Sequence, residues 1–402
     1  MKNIKNLSKH LMTMFALSIF LLTACEIEPK ESITPPGAEG ISSNMMDRFK
    51  SLPEGFQARI DPKLNFGSES ARQTNLGVQT DQQYREIVRR ILNAVEDSEC
   101  SDTDLYLWLD EELADWDDEV IFYAIVSGML DFPTYDAFLF ENSSEGQYFG
   151  KDGEYTQSTT KAFKDLQRFW NIDSKGIVLA AMHGNMLLDR EKVIRIDKIL
   201  YGDDQETAED YADLILDLLD YFPQYRNGDH PIFTFNAFAT SGFFFPPAGG
   251  DIPPKIIMGD GILEAYSALG FDDVAPQAIL AHEFGHHIQF QLGLFDSPIT
   301  DPAEATRRTE MMADAYSAYY LSHARGATMQ WKRVQQFLEV FFNIGDCGFD
   351  NSGHHGTPLQ RMAAAEWGYQ VANTAKKQGQ ILTSEEFAAL FEAKLPELVA
   401  VP

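Results

Sequence analysis

Residues 275–292 read APQAILAHEFGHHIQFQL, and the centre of this run is His282-Glu283-Phe284-Gly285-His286. Ala278, Ile279, Leu280, Ala281 and Phe284 predict a helix with a buried face, capped by Asp272 or Asp273. On such a helix His282 and His286 lie one turn apart, about 40° from eclipsed, on one face. Two neutral imidazoles so placed can bind one Zn²⁺ at roughly 2.0–2.1 Å each. Glu283 follows the first histidine and can reach a water beside the metal without ligating it. His287 is turned about 100° further round the helix and is given no ligand role.

The pattern is H-E-x-x-H, used by zinc hydrolases. A catalytic zinc site takes three protein ligands and keeps one position open. One arrangement places a third histidine six residues after the second. Here position 289 is Gln and position 292 is Leu, so that spacing is excluded. The other arrangement takes a Glu from a following helix. Pro302–Arg325 reads as such a helix and carries Glu310-Met311-Met312-Ala313-Asp314. Glu310 and Asp314 share a face. Glu310 can ligate the metal, and Asp314 can accept the outer N–H of a ligand histidine and fix its tautomer.

HEFGHHIQ (residues 282–289) followed by EMMAD (residues 310–314) resembles the bacterial neutral zinc metallopeptidases of the gluzincin type. The likeness extends upstream to the strand Lys255–Asp260. Downstream it reaches His355-Gly356-Thr357-Pro358-Leu359-Gln360-Arg361, similar to an H-G-[ST]-x-x-Q-R stretch of that family, and it covers roughly residues 230–372. It implies that His282, His286 and Glu310 ligate Zn²⁺, that Glu283 is the general base and that Asp314 orients His282. A second donor to the oxyanion is needed besides the metal. Candidates are His354, His355, Tyr316, Tyr319 and Tyr320, with His355 preferred because it begins the family-like stretch. Lys255–Met258 is expected to pair with an extended peptide as an added strand.

Residues 1–24 read as a lipoprotein signal peptide. Lys2, Lys5 and Lys9 precede the short apolar core Leu11–Leu22, and Leu22-Thr23-Ala24-Cys25 resembles a lipobox. By that resemblance Cys25 is the lipid anchor, and the chain sits in the bacterial cell envelope, extracytoplasmic, at the outer membrane. Cys100 and Cys347 are then expected to form a disulfide. A net charge of −29 over 402 residues argues against binding nucleic acid.

The expected fold is α+β and mostly helical. A tether occupies residues 25–80 and a mainly helical region 81–225. A zincin-like domain with a small sheet occupies 226–402. Leu105–Trp116 and Val120–Leu130 read as helices, Gly176–Met182 and Val193–Ile196 as strands, and Glu206–Phe222 as an amphipathic helix. Ile232–Phe238 reads as β-rich and Gly242–Pro254 as a loop. The acidic run Asp102–Glu119 lacks a calcium-loop pattern and reads as a solvated face.

Three functions are weighed. The first is a lipid-anchored zinc peptidase acting on a peptide or protein substrate. The second is a zinc-stabilised envelope binding or assembly lipoprotein, which needs no base. The third is a glycan-binding lipoprotein. It would require an exposed aromatic platform, whereas Trp108, Trp116 and Trp170 lie on patterns of buried residues.

Overall fold

The computed structural model describes residues 103–401 apart from 297, 346–354 and 377–378. The signal peptide, the tether, Cys25, Cys100, Cys347 and His354 lie outside the described residues. Short helices α1 (Asp104–Glu112), α2 (Asp118–Val126) and α3 (Phe132–Leu139) come first, then α4 (Thr156–Phe169). Helix α4 buries Thr159, Ala162, Phe163, Leu166 and Phe169, the 3–4 spacing of one helical stripe. Strand β1 (Val178–Met182) leads through a 3₁₀ turn to α5 (Arg190–Tyr201) and α6 (Gln205–Tyr221). Strand β2 (Ala237–Thr240), the hairpin β3 (Phe243–Phe245) and β4 (Gly250–Ile252), and β5 (Lys255–Gly259) follow. The chain then continues as α7 (Asp260–Ala268), α8 (Ala275–Leu292), α9 (Pro302–Ser322), α10 (Trp331–Asn343), α11 (Pro358–Lys376) and α12 (Ser384–Leu398). The described part is thus mostly helical with small sheets. No helix among the described residues is long and apolar enough to cross a membrane.

Several local expectations are corrected. Val193–Ile196 is not a strand but the middle of α5. Asp189 accepts the amides of Glu191 and Lys192, and Gly202 ends the helix in the left-handed conformation. These cap signals outweigh the β-branched residues between them. Ile232–Phe238 divides into a 3₁₀ turn at Pro231–Thr234 and the start of β2, because prolyl ring closure favours a turn before the strand. The loop 242–254 contains the β3–β4 hairpin. Neither Asp272 nor Asp273 caps α8. Its N-cap is Val274, without a side-chain bond, and Asp273 pairs with Arg333 instead. A missing cap costs about 1 kcal/mol. Burial of Ile279, Leu280, Phe284 and Ile288 stabilises the helix by about 1.5–3 kcal/mol per side chain and prevails.

The three-stranded sheet has the order β1-β5-β2. β5 runs parallel to β1, from Val178↔Lys255 to Met182↔Gly259, and antiparallel to β2. Both edges of β5 are therefore occupied, and every residue in it is buried. The expectation that Lys255–Met258 receives a substrate strand is overturned, since a central strand has no free backbone donors or acceptors to offer. The sheet joins residues on both sides of position 225. A single cluster of buried side chains runs from Leu105 to Leu398. Trp116 and Trp170 belong to it, and Trp108 packs against it partly buried, so none of the three is an exposed platform.

Helix α8 lies between the sheet and α9. On the sheet side His287 Nε2 bonds the Lys255 carbonyl at 2.9 Å. On the other side Gly285 lets the helices meet, for a Cβ there would stand 3.1 Å from Ala313 Cα. Helix α11 closes on α9 in the same way. A Cβ at Gly368 would stand 2.4 Å from the Ala315 carbonyl oxygen. Two close helix crossings thus place α8 and α11 on either side of α9.

Candidate metal centre

The centre is built where α8 meets α9. His282 and His286 project from one face of α8, with Nε2 atoms 3.1 Å apart. Glu310 enters from α9. Its Oε2 lies 3.3 Å from His282 Nε2 and its Oε1 3.5 Å from His286 Nε2. Ligand atoms of these three residues all lie within 4.8 Å of one another. Among the described residues this is the group of His, Cys, Asp and Glu side chains that could hold a metal ion.

Each imidazole is held from behind. His282 Nδ1 bonds Asp314 Oδ1 at 2.8 Å, and Asp314 is fully buried. His286 Nδ1 bonds Gln289 Oε1 at 2.8 Å, and the Gln289 amide donates to the Thr309 carbonyl at 2.7 Å. Both Nδ1 atoms being engaged, both Nε2 atoms are directed at Glu310. Two imidazole nitrogens and a carboxylate suit Zn²⁺ in donor type and number. Restraint of the outer nitrogens is what a metal-binding histidine requires.

The electrostatics separate the two histidines. Burial works against a charge on His282, but hydrogen bonds to Asp314 and Glu310 outweigh it and raise its pKa to about 10. Burial dominates at His286 and lowers it to about 4. The pair therefore holds one proton near neutral pH when no metal is present. Burial also opposes ionisation of Glu310, yet the neighbouring imidazoles of His286 and His355 hold its carboxyl well below the usual range.

Glu283 is 5% exposed on the same helix, and its charge acts on His282. His355 approaches from the loop before α11, its Nδ1 3.3 Å from Glu310 Oε2. The tyrosines are elsewhere. Tyr316 donates to the Ser384 carbonyl at 2.8 Å, Tyr319 accepts the Leu382 amide at 2.9 Å, and Tyr320 is buried against Phe169. They pack α9 against α12 and α4, which removes them from the oxyanion candidates. His183 pairs with Asp260 at 2.7 Å and stacks on the Tyr148 ring.

Two participants were not assigned from sequence. Gln289 carries a legible signal, since it follows His286 by three residues on the same helix face. Arg361 carries none beyond its place in the family-like stretch. It is 1% exposed and reaches back from α11. Its Nη2 donates to Asp314 Oδ1 at 2.8 Å, its Nε to Asp314 Oδ2, and its Nη1 lies 3.5 Å from Glu310 Oε2. Beside His286, Phe295 is 37% exposed, with its ring centroid 6.1 Å from that of the imidazole. No protein-family model matches the chain, and no curated protein or solved structure matches it either.

Proposed function

We propose that this chain is a zinc-dependent peptidase, lipid-anchored and extracytoplasmic, with a zincin-like catalytic unit. The observation that carries the reading is the convergence of His282, His286 and Glu310 within 4.8 Å, with Glu283 one residue from the first ligand. Three ligands among the described residues is the count of a catalytic zinc site, whereas closed structural sites use four.

When bound, Zn²⁺ would be held by His282, His286 and Glu310 and would supply Lewis acidity. The chain's own residues supply the rest. Asp314 and Gln289 hold the two imidazoles so that Nε2 of each faces inward. The Glu283 carboxylate takes a proton from the attacking water and passes it to the leaving amine nitrogen. His355, beside Glu310, donates an N–H toward the carbonyl oxygen as charge develops there. Phe295 offers an apolar wall next to His286 for a substrate side chain.

The deep burial of Glu283 favours one other reading, a zinc-stabilised binding or assembly lipoprotein without catalysis. One comparison separates the two. Metal content and cleavage of a proteome-derived peptide library are measured for the parent chain and for Glu283→Gln. The peptidase reading expects about one zinc in both and cleavage only in the parent. Bound zinc with no peptide cut by the parent refutes it in favour of the binder.

A further inference from the structure

The Arg361 guanidinium touches three groups of the centre from a third helix. Its Nε and Nη2 form a fork on the two oxygens of Asp314. Its Nη1 faces Glu310 Oε2 and, also at 3.5 Å, the carbonyl of His355. The path to His282 is short. Arg361 grips Asp314, and Asp314 Oδ1 grips His282 Nδ1 at 2.8 Å. The fork leaves the Asp314 carboxylate one orientation, and that orientation aims the imidazole.

Gly356, at φ +101, passes over the Arg361 stem, where a Cβ would stand 3.5 Å from Arg361 Cδ and 3.3 Å from Arg307 Cγ. The neighbouring Gln360 donates to the Val401 carbonyl at 2.8 Å and so ties the start of α11 to the segment after α12. A buried carboxylate beside a metal centre also needs a fixed counter-charge, because an unpaired buried ion is strongly destabilising. Lysine would meet the charge but not the fork.

We propose that Arg361 is a positioning residue of the metal centre, setting metal affinity by locking Asp314 and, through it, His282. The proposal rests on the reading that zinc binds here. It does not need the chain to be a peptidase, because it is tested on binding.

Zinc affinity of the full-length chain is measured by competition with a chromophoric chelator for the parent, Arg361→Lys, Arg361→Met, Asp314→Asn, and the Asp314→Asn, Arg361→Met double variant. Loss of an outer partner weakens metal binding about 10–100-fold, and that loss is expected for each single variant. The double variant should bind no more than about threefold worse than Asp314→Asn alone, since both act through one contact. Should Arg361→Met fail to fold, Arg361→Lys carries the test. The downfield His282 Nδ1–H resonance of the zinc-loaded protein gives a second measure. It should shift or broaden in Arg361→Lys. Lysine and methionine variants within about threefold of the parent, multiplying losses in the double variant, or an unmoved resonance overturn the role of Arg361. Failure to cut any peptide would overturn only the peptidase reading, and a parent chain that binds no zinc overturns both.

Discussion

Two imidazole nitrogens 3.1 Å apart, with a carboxylate beside them, share a single proton unless a cation replaces it. Hydrogen bonds to Asp314 and Glu310 push the pKa of His282 up to about 10, and burial lowers that of His286 to about 4. Metal binding at pH 7 should therefore release about one proton. Its apparent affinity should rise about tenfold per pH unit between about pH 5 and 9. Calorimetry in buffers of different ionisation enthalpy checks this, and no net proton release would contradict the shared-proton geometry. The sign of the linkage in metal-free protein follows from the same shift. The folded pKa of His282 lies above its unfolded value near 6.5, so its contribution to stability is full below about 6.5 and lost as pH rises toward about 10. Glu310 behaves oppositely. Its lowered pKa contributes stability above the ordinary carboxylate range, lost as pH falls through the depressed value. Glu283→Gln belongs to this scale too. Turnover should fall by about 10²–10⁴-fold with zinc retained, the usual loss when a general base is removed.

At the scale of elements, the centre depends on how closely three helices approach. Side chains at Gly285 and Gly368 would meet Ala313 and the Ala315 carbonyl. Gly368→Ala gains about 1 kcal/mol in helix propensity. It also places a methyl group where α9 backbone stands, and overpacking of this kind costs about 1–3 kcal/mol. The clash is with a carbonyl oxygen that cannot rotate away, so a net loss is expected. A lowered urea midpoint at unchanged slope would show it, and an increase would mean that α9 and α11 separate freely. The same logic explains why α8 forms without a side-chain cap. Its stability comes from the sheet on one side and α9 on the other, with Gly293 in the left-handed conformation closing its C-terminal end.

For the whole molecule, a metal held by His282, His286 and Glu310 would cross-link α8 and α9. A ligand bound only by the folded chain stabilises it by about 4 kcal/mol at 1,000 times its Kd. Chelation should therefore lower the melting temperature, and zinc should restore it, in the parent and in Glu283→Gln alike. His286→Ala should show no response to zinc, and a full response there would place the metal elsewhere. The expected Cys100–Cys347 disulfide is tested by alkylating the unreduced chain and weighing it. Two labelled thiols would exclude the pairing.

What could be read without coordinates was whatever is encoded locally. The one-turn spacing of His282 and His286 and the shared face of Glu310 and Asp314 depend only on helical period, which is the same in any helix. Val193–Ile196 resembles a strand because its three β-branched residues outweigh its one arginine when the caps on either side are left out. Position within the sheet was beyond local reading. Nothing in Lys255–Gly259 says whether neighbours will cover one edge or both, and both are covered. The tyrosines of α9 were likewise ambiguous until α12 and α4 claimed them. Arg361 makes the point most sharply, since it meets Asp314 at a separation of 47 positions along the chain. Chain closure over that distance depends on where α11 packs, a property of the assembled core that no short window contains.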